Sequence, residues 1–176
     1  MIISLIGYMG SGKSHISKVL STQIPLKLID LDQRISRETN MTIPEIFEKK
    51  GEIFFRRKER ELLEEILATE TDAILSVGGG TPAYYNNMEI LNNKSESIFL
   101  RTSVTNLAQR VSQQKHKRPL VASIPEGDLP EFIAKHLFER NVYYAQAKHT
   151  ISTDGKTVEK IASEIITLLD LLAPPH

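Results

Sequence analysis

Near the start of the chain, residues 7–14 read GYMGSGKS. This is the pattern G-x-x-x-x-G-K-[ST], and it constrains the fold more than any other stretch. It requires a buried strand leading into the loop and a helix leading out. Ile2 to Ile6 is a nearly continuous apolar run, which predicts a central parallel strand buried on both faces. Ile16, Val19 and Leu20 then share one helical stripe. Gly7, Gly10 and Gly12 allow a tight turn close to an anion. The N–H groups of Gly10, Ser11, Gly12, Lys13, Ser14 and His15 can then face a β-phosphate at the positive end of the helix. Lys13 can reach the β- and γ-phosphates, and the Ser14 hydroxyl can ligate Mg²⁺. The plainer reading is a glycine-rich turn with an incidental lysine. It does not explain why the glycines and Lys13 follow a buried strand so closely. The loop implies a bound nucleotide, but not where the phosphate goes.

The rest of the chain alternates strand and helix patterns. Leu26 to Leu31 reads as a second strand ending among carboxylates. Residues 34–67 are helical in pattern, with Thr42 and Glu45 as a capping box around Pro44 and a break at Gly51. Ala73 to Val77 predicts a third strand ending in Gly78-Gly79-Gly80, and Ser97 to Leu100 a fourth. Val104 to Gln113 is helical. Lys115 to Pro130 has three prolines and little periodicity, and reads as a mobile surface loop. Glu131 to Lys148 is helical, with Phe132, Leu137 and Phe138 as packing residues. Thr150 to Thr153 is a short fifth strand. Val158, Ile161, Ile165, Leu168 and Leu172 stripe a last helix, and Ala173 to His176 reads as a frayed tail. Alternating strands and helices predict an α/β fold with a parallel sheet covered on both faces, in one domain spanning 1–176.

Composition narrows the chemistry. The 22 basic and 22 acidic residues cancel, which argues against a broad nucleic-acid surface. No apolar run approaches membrane-spanning length, and the apolar start runs straight into the glycine loop, unlike a signal peptide. A cytoplasmic protein is expected, with no nucleic-acid or membrane partner. There is no cysteine, so catalysis runs on oxygen and nitrogen groups. His15 is expected to contribute its backbone N–H, and His116, His136, His149 and His176 show no metal-ligand spacing.

Three features separate a transferase from a hydrolase or a switch. The third strand ends without a carboxylate at Val77, so the strand-end acids are Asp30 and Asp32 in LIDLD. A strand alternates its faces, so residues two apart share one, and both carboxylates can look into the crevice at the carboxyl edge of the sheet. One could serve Mg²⁺ through water and the other could orient or deprotonate an acceptor hydroxyl. FFRRKER at 54–60 places cations near the start of a helix, where they oppose its dipole. For Arg57, Lys58 and Arg60 a solvated face is a sufficient reading. Phe54 and Phe55 nevertheless bury that part of the helix, so one arginine should emerge into a cleft and grip a planar carboxylate. Three consecutive glycines at 78–80 cost backbone entropy and suggest close approach to a ligand.

Taken in order, GYMGSGKS, Asp30-Leu31-Asp32, the FRR of 55–57, the GGG of 78–80, the RPL of 118–120 and ERNVYY from Glu139 make the chain resemble a shikimate kinase over nearly its whole length. The resemblance implies a three-layer α/β/α phosphate-loop fold with a five-stranded parallel sheet. It implies a helical substrate-binding segment at about 32–62, a mobile lid at about 113–130, and a monomer. It implies ATP and Mg²⁺, with phosphoryl transfer to the 3-hydroxyl of shikimate. Gly10 to His15 would hold the phosphates, with Ser14 on Mg²⁺ and Asp30 assisting through water. Lys13, Asp32 and Arg118 would be catalytic, with Asp32 as base and Arg118 in the lid reaching the transferring phosphate. Arg56 and Arg140 would grip the shikimate carboxylate beside the Gly78, Gly79 and Gly80 backbone. Arg110 would pack near adenine. Two positions depart from the family pattern. His15 stands where a small residue is usual, and STDGKTVE at 152–159 lacks an adenine-side arginine, for which Lys156 is a poor planar substitute. Gluconate or nucleotide kinases are the near alternatives, and a nucleotide-dependent switch is the distant one.

Overall fold

The apolar run at the start forms β1 (Ile2–Ile6), buried along its whole length and central in the sheet. In this computed structural model, which describes residues 1–171, five strands lie in the order β2-β3-β1-β4-β5. The others are β2 (Lys27–Asp30), β3 (Ala73–Ser76), β4 (Glu96–Arg101) and β5 (His149–Ser152). Every pairing is parallel.

Alternation along β1 assigns the two faces. Ile3 and Leu5 join one apolar cluster with Ile16 and Leu20 of α1 (Lys13–Gln23) and Ile161, Ile165 and Ile166 of α9 (Val158–Leu168). Ile2 and Ile6 join the other cluster. That cluster receives α2 (Leu31–Thr39), α3 (Ile43–Lys49), α4 (Gly51–Thr69), α5 (Asn87–Lys94), α6 (Val104–Gln113) and α8 (Leu129–Tyr144). Each fully buried Leu or Ile contributes about 1.5–3 kcal/mol, so the double-sided core holds the strand ends, and the loops on them, at fixed positions.

Several sequence expectations shift. The helical stretch at 34–67 is three helices, and it begins earlier, at Leu31. α2 ends at Asn40, whose φ of 52° is left-handed, and Thr42 and Glu45 cap α3 reciprocally as expected. Lys50 ends α3, and Gly51, at φ 84°, opens α4. The segment expected as an aperiodic loop at 115–130 is built from short turns: 3₁₀ turns at Lys115–Lys117 and Glu126–Asp128 flank α7 (Pro119–Ala122). Val121 and Leu129 anchor it in the core, and α8 already begins at Leu129 and ends at Tyr144. Phe138, expected to pack, is 83% exposed, whereas Leu137 is buried. Leu172, the tail at 173–176 and His176 lie outside the described residues.

Candidate active site

Three strands deliver their loops to the carboxyl edge of the sheet, where a parallel sheet opens its crevice. There they wall a cleft of about 610 Å³. Gly10 to His15 line it after β1, Asp30 and Asp32 after β2, and Gly78 and Gly79 after β3. Arg110, Arg118 and Lys156 reach it from later segments.

The phosphate loop has the geometry that its glycines predict. Gly10 and Gly12 have φ of 81° and 93°, open to glycine and strained for other residues. A Cβ on Gly7 would fall 2.7 Å from Ser11 Oγ, so the turn is closed as well as left-handed. Ser11 N–H is used inside the loop, on Tyr8 O at 3.1 Å, and is not free for an anion as expected. The N–H groups of Gly12, Lys13, Ser14 and His15 have no acceptor among the described residues and open α1. Lys13 Nζ folds back over the loop and donates to the carbonyls of Gly7 and Tyr8. Burial lowers its pKa to about 8, against the opposing pull of Asp32. Such a cation, held by neutral carbonyls, is well suited to a phosphate.

Asp30 and Asp32 both line the cleft, but not by strand alternation. β2 stops at Asp30, which caps α2 by accepting the N–H of Gln33 at 3.0 Å. Asp32 stands in the first turn of α2. Helix geometry, not pleat, brings it into the site. Burial pushes its carboxyl up to about 6, and the charges of Glu59 and Asp30 add to this, against Lys13 and Arg56.

The triple-glycine turn gathers one acid and two arginines, one against each glycine. A Cβ on Gly78 would lie 3.3 Å from Asp32 Oδ1. Gly79 O accepts Arg140 Nη1 at 2.7 Å and Tyr144 Oη at 2.6 Å. A Cβ on Gly80 would fall 2.6 Å from Arg56 Nη2. Arg56, Arg140 and Gly80 therefore stand beside the cleft at this turn and are not in its wall. Arg56 also lies over the Tyr84 ring, 3.9 Å from its centroid. It is the arginine that the FFRRKER cluster was expected to direct inward. Lys58 pairs with Glu61 and Arg60 with Glu64, one turn on, which relieves the conflict with the helix dipole. Arg57 is exposed.

Sequence reasoning missed Glu59. It is 1% exposed, accepts Thr81 Oγ1 at 2.8 Å and pairs with Arg56 Nη1 at 2.8 Å. A signal existed, because Glu59 falls on the buried stripe of Phe55, Leu62, Leu63 and Ile66. It also missed Tyr144 and Tyr8, whose hydroxyl lies 2.8 Å from His136 Nδ1.

Arg118 donates to Gln114 Oε1 at 3.0 Å, while its Nε is buried without a partner. Arg110 Nη1 donates to Gly10 O at 3.2 Å, and Lys156 pairs with Glu164 at 2.8 Å. No group of three His, Asp or Glu able to hold a metal occurs among the described residues. Ser14 and Asp30 together offer hard oxygen donors of the kind Mg²⁺ takes alongside waters and phosphates. The free N–H groups, Lys13 and the unpartnered Arg118 Nε fit a polyphosphate.

Residues 9–170 match the shikimate kinase family model. The chain is 44% identical over 170 residues to the shikimate kinase of Flavobacterium johnsoniae, covering 95% of this chain and 98% of that one. The shikimate kinase of Flavobacterium psychrophilum is also 44% identical, over 168 residues, with 95% and 98% covered. The solved shikimate kinase of Bacteroides thetaiotaomicron superposes with a TM-score of 0.90 at 32% identity, over 97% of this chain and 99% of that one. The shikimate kinase of Acinetobacter baumannii, solved in complex with shikimate, gives 0.87 at 31% identity, over 98% and 95%. With its phosphate loop, paired acids and glycine turn in one cleft and this likeness along nearly every residue, the chain belongs to the shikimate kinase family.

Proposed function

We propose that, in the ATP-dependent phosphorylation of shikimate, Asp32 is the base, Arg56 and Arg140 hold the acceptor carboxylate, and Lys13 and Arg118 meet the transferring phosphoryl group. The observation that carries this assignment is the triple-glycine turn, where Asp32, Arg140 and Arg56 each abut a different glycine, beside Lys13. One acid and two arginines around one turn suit an acceptor with both a hydroxyl and a carboxylate. Two arginines grip a planar carboxylate with parallel charged hydrogen bonds.

The 3-hydroxyl oxygen bonds to phosphorus as the bond to the ADP oxygen breaks, and its proton passes to Asp32. The reaction needs positioning and charge neutralisation more than covalent help. Lys13 and Arg118 supply fixed positive charge for the phosphoryl oxygens, and the N–H groups at the start of α1 hold the remaining phosphates. Ser14, with Asp30 through water, would hold Mg²⁺, which draws charge from the phosphoryl oxygens. Arg110 would lie by the adenine. The segment at 113–130 acts as the lid that keeps water from the phosphoryl group. The same reading takes residues 1–176 as one domain, and the chain as a monomeric, cytoplasmic enzyme.

The test is an ATP-consumption panel with shikimate, gluconate, AMP, CMP and no acceptor. Shikimate should dominate and the no-acceptor rate should be small. A dominant rate with gluconate or a nucleotide would overturn the assignment of the acceptor groups. Lys13→Ala should fold and lose about a hundredfold or more of its turnover, as removal of one charge-stabilising donor does elsewhere.

A further inference from the structure

Gly79 is held in a way that the acceptor assignment leaves unused. Its carbonyl accepts two hydrogen bonds, from Arg140 Nη1 at 2.7 Å and Tyr144 Oη at 2.6 Å. A carbonyl oxygen has two lone pairs, so it has no further acceptor capacity. Both donors come from α8, one turn apart. Tyr144 is fully buried, and its ring packs on Phe99 with centroids 5.1 Å apart. Its position is therefore fixed by the core beneath the sheet edge. Burial keeps the phenol protonated, with its pKa pushed up to about 12, so it donates throughout the working pH range.

Peptide planarity turns this anchor into a pointer. No described peptide bond is cis, so the Gly79 carbonyl and the Gly80 N–H project in opposite directions from one rigid plane. With the carbonyl tied to α8, the Gly80 N–H must point away from it. That N–H has no acceptor among the described residues. Gly80 also lies against the Arg56 guanidinium, whose Nε is buried without a hydrogen-bond partner. A glycine pair could rotate this plane readily, since neither residue has a Cβ to resist it. Thr81 N–H on Gly78 O at 3.1 Å and Ala83 N–H on Gly80 O at 3.0 Å close the ends of the turn, and the two donors on the Gly79 carbonyl hold the plane between them.

We propose that Tyr144 is a positioning residue of the acceptor site: with Arg140, its hydroxyl locks the Gly79 carbonyl and so aims the Gly80 N–H at the carboxylate beside Arg56. Tyr144 touches no reacting group. It acts through the peptide plane and by sharing the carbonyl that orients Arg140. The inference rests on the assignment of Arg56 and Arg140 to the acceptor carboxylate.

Tyr144→Phe keeps the ring on Phe99 and removes the hydroxyl. The KM for shikimate should rise about two- to tenfold, the worth of one neutral hydrogen bond, while kcat and the KM for ATP stay within about twofold. In ¹⁵N-labelled protein, the Gly80 amide resonance should differ between parent and variant before shikimate is added, and its shikimate-dependent shift should shrink. A 3-fluorotyrosine at 144 keeps the ring and strengthens the donor, so its KM for shikimate should stay at or below that of the parent. An unchanged KM with a lowered melting temperature would assign Tyr144 to packing alone and overturn the inference. Equal rises in both KM values would do the same. If the parent chain consumed no ATP with shikimate, the acceptor assignment itself would fall. If the parent turned over and Tyr144→Phe matched it in KM and in the Gly80 resonance, only the role of Tyr144 would fall.

Discussion

Glu59 holds Arg56 at 2.8 Å with a carboxylate buried to 1% exposure. Three residues apart on α4, they face the triple-glycine turn together, and Thr81 donates to the other carboxylate oxygen at 2.8 Å. An arginine with a side chain only 13% exposed needs such a partner, because an unpaired buried charge is costly. Glu59→Gln keeps the shape and removes the charge. It should cost about 1.5–3 kcal/mol, the range for hydrogen bonds to charged groups, read as a lower urea midpoint. The KM for shikimate should rise while the KM for ATP holds. An unchanged KM for shikimate would show that Arg56 is oriented without Glu59.

What could be read in the sequence was what local pattern dictates. β1, the glycine loop and α1 follow from an apolar run, required turns and a helical stripe. Asp30 and Asp32 were legible as a pair, but for the wrong reason. Pleat alternation predicts a shared strand face, whereas the chain turns helical at Leu31 and Asp32 arrives on the first turn of α2. The choice among Arg56, Arg57 and Arg60 was not legible, because it depends on which side of α4 meets Gly80 and Tyr84 across the chain. Glu59 lies on an apolar stripe, but Glu61, Glu64 and Glu65 crowd the same stretch of sequence, and only Thr81, across the chain, singles it out. Phe138 was misplaced because α8 packs through Ile133, Leu137 and Tyr144 and leaves the next position outside.

The pKa values of Asp32 and Lys13 set a working window. The Asp32 carboxyl titrates near 6 and the Lys13 ammonium near 8. With Asp32 as the proposed base and Lys13 as the proposed phosphoryl clamp, transfer needs the first deprotonated and the second charged. A plot of log kcat/KM against pH, which reports the free enzyme, should rise to about 6 and fall beyond about 8. Stability carries the opposite mark of Asp32. Its folded pKa lies above the ordinary 3.8, so between the two values the folded chain keeps a proton that the unfolded chain has lost. Stability therefore drops as pH rises through that window, and the full penalty remains above it. Asp32→Asn should raise the melting temperature at neutral pH, with the gain fading below about pH 4. It should still bind shikimate and transfer almost no phosphate. A variant less stable than its parent at neutral pH would contradict this assignment of strain to Asp32.

Arg118 should separate activity from folding. It lies on the turn before α7, held through Nη2 on Gln114, in a segment whose core anchors are Val121 and Leu129. Arg118→Ala removes one exposed hydrogen bond and a buried Nε that has no partner. Its melting temperature should stay within a degree or two of the parent, since substitutions away from core or network contacts cost about 0.5 kcal/mol or less. Turnover should fall about a hundredfold, as for other charge-stabilising donors. Steady-state rates beside a melting curve decide it. A large stability loss with unchanged turnover per folded molecule would make Arg118 a structural residue.

Two cations that line the cleft with the phosphate loop differ in how they are held. Arg110 donates to Gly10 O at 3.2 Å, so its planar guanidinium is fixed against the phosphate loop itself. Lys156 also lines the cleft, but its ammonium is drawn to Glu164 at 2.8 Å, with both side chains about a quarter exposed. A guanidinium plane can stack on an aromatic base, whereas an ammonium committed to a carboxylate offers only its stem. Arg110→Ala should therefore raise the KM for ATP about tenfold, combining lost stacking with a loosened loop. Lys156→Ala should change it by no more than about twofold, the scale of a partly exposed ion pair. Neither should move the KM for shikimate, because Arg110 is held on Gly10 O and Lys156 on Glu164, and neither makes a hydrogen bond or ion pair to the triple-glycine turn among the described residues. KM values for ATP and shikimate, measured on both variants, distinguish the two roles. A larger ATP effect from Lys156→Ala than from Arg110→Ala would place the base against the lysine, and Glu164→Gln should then reproduce it.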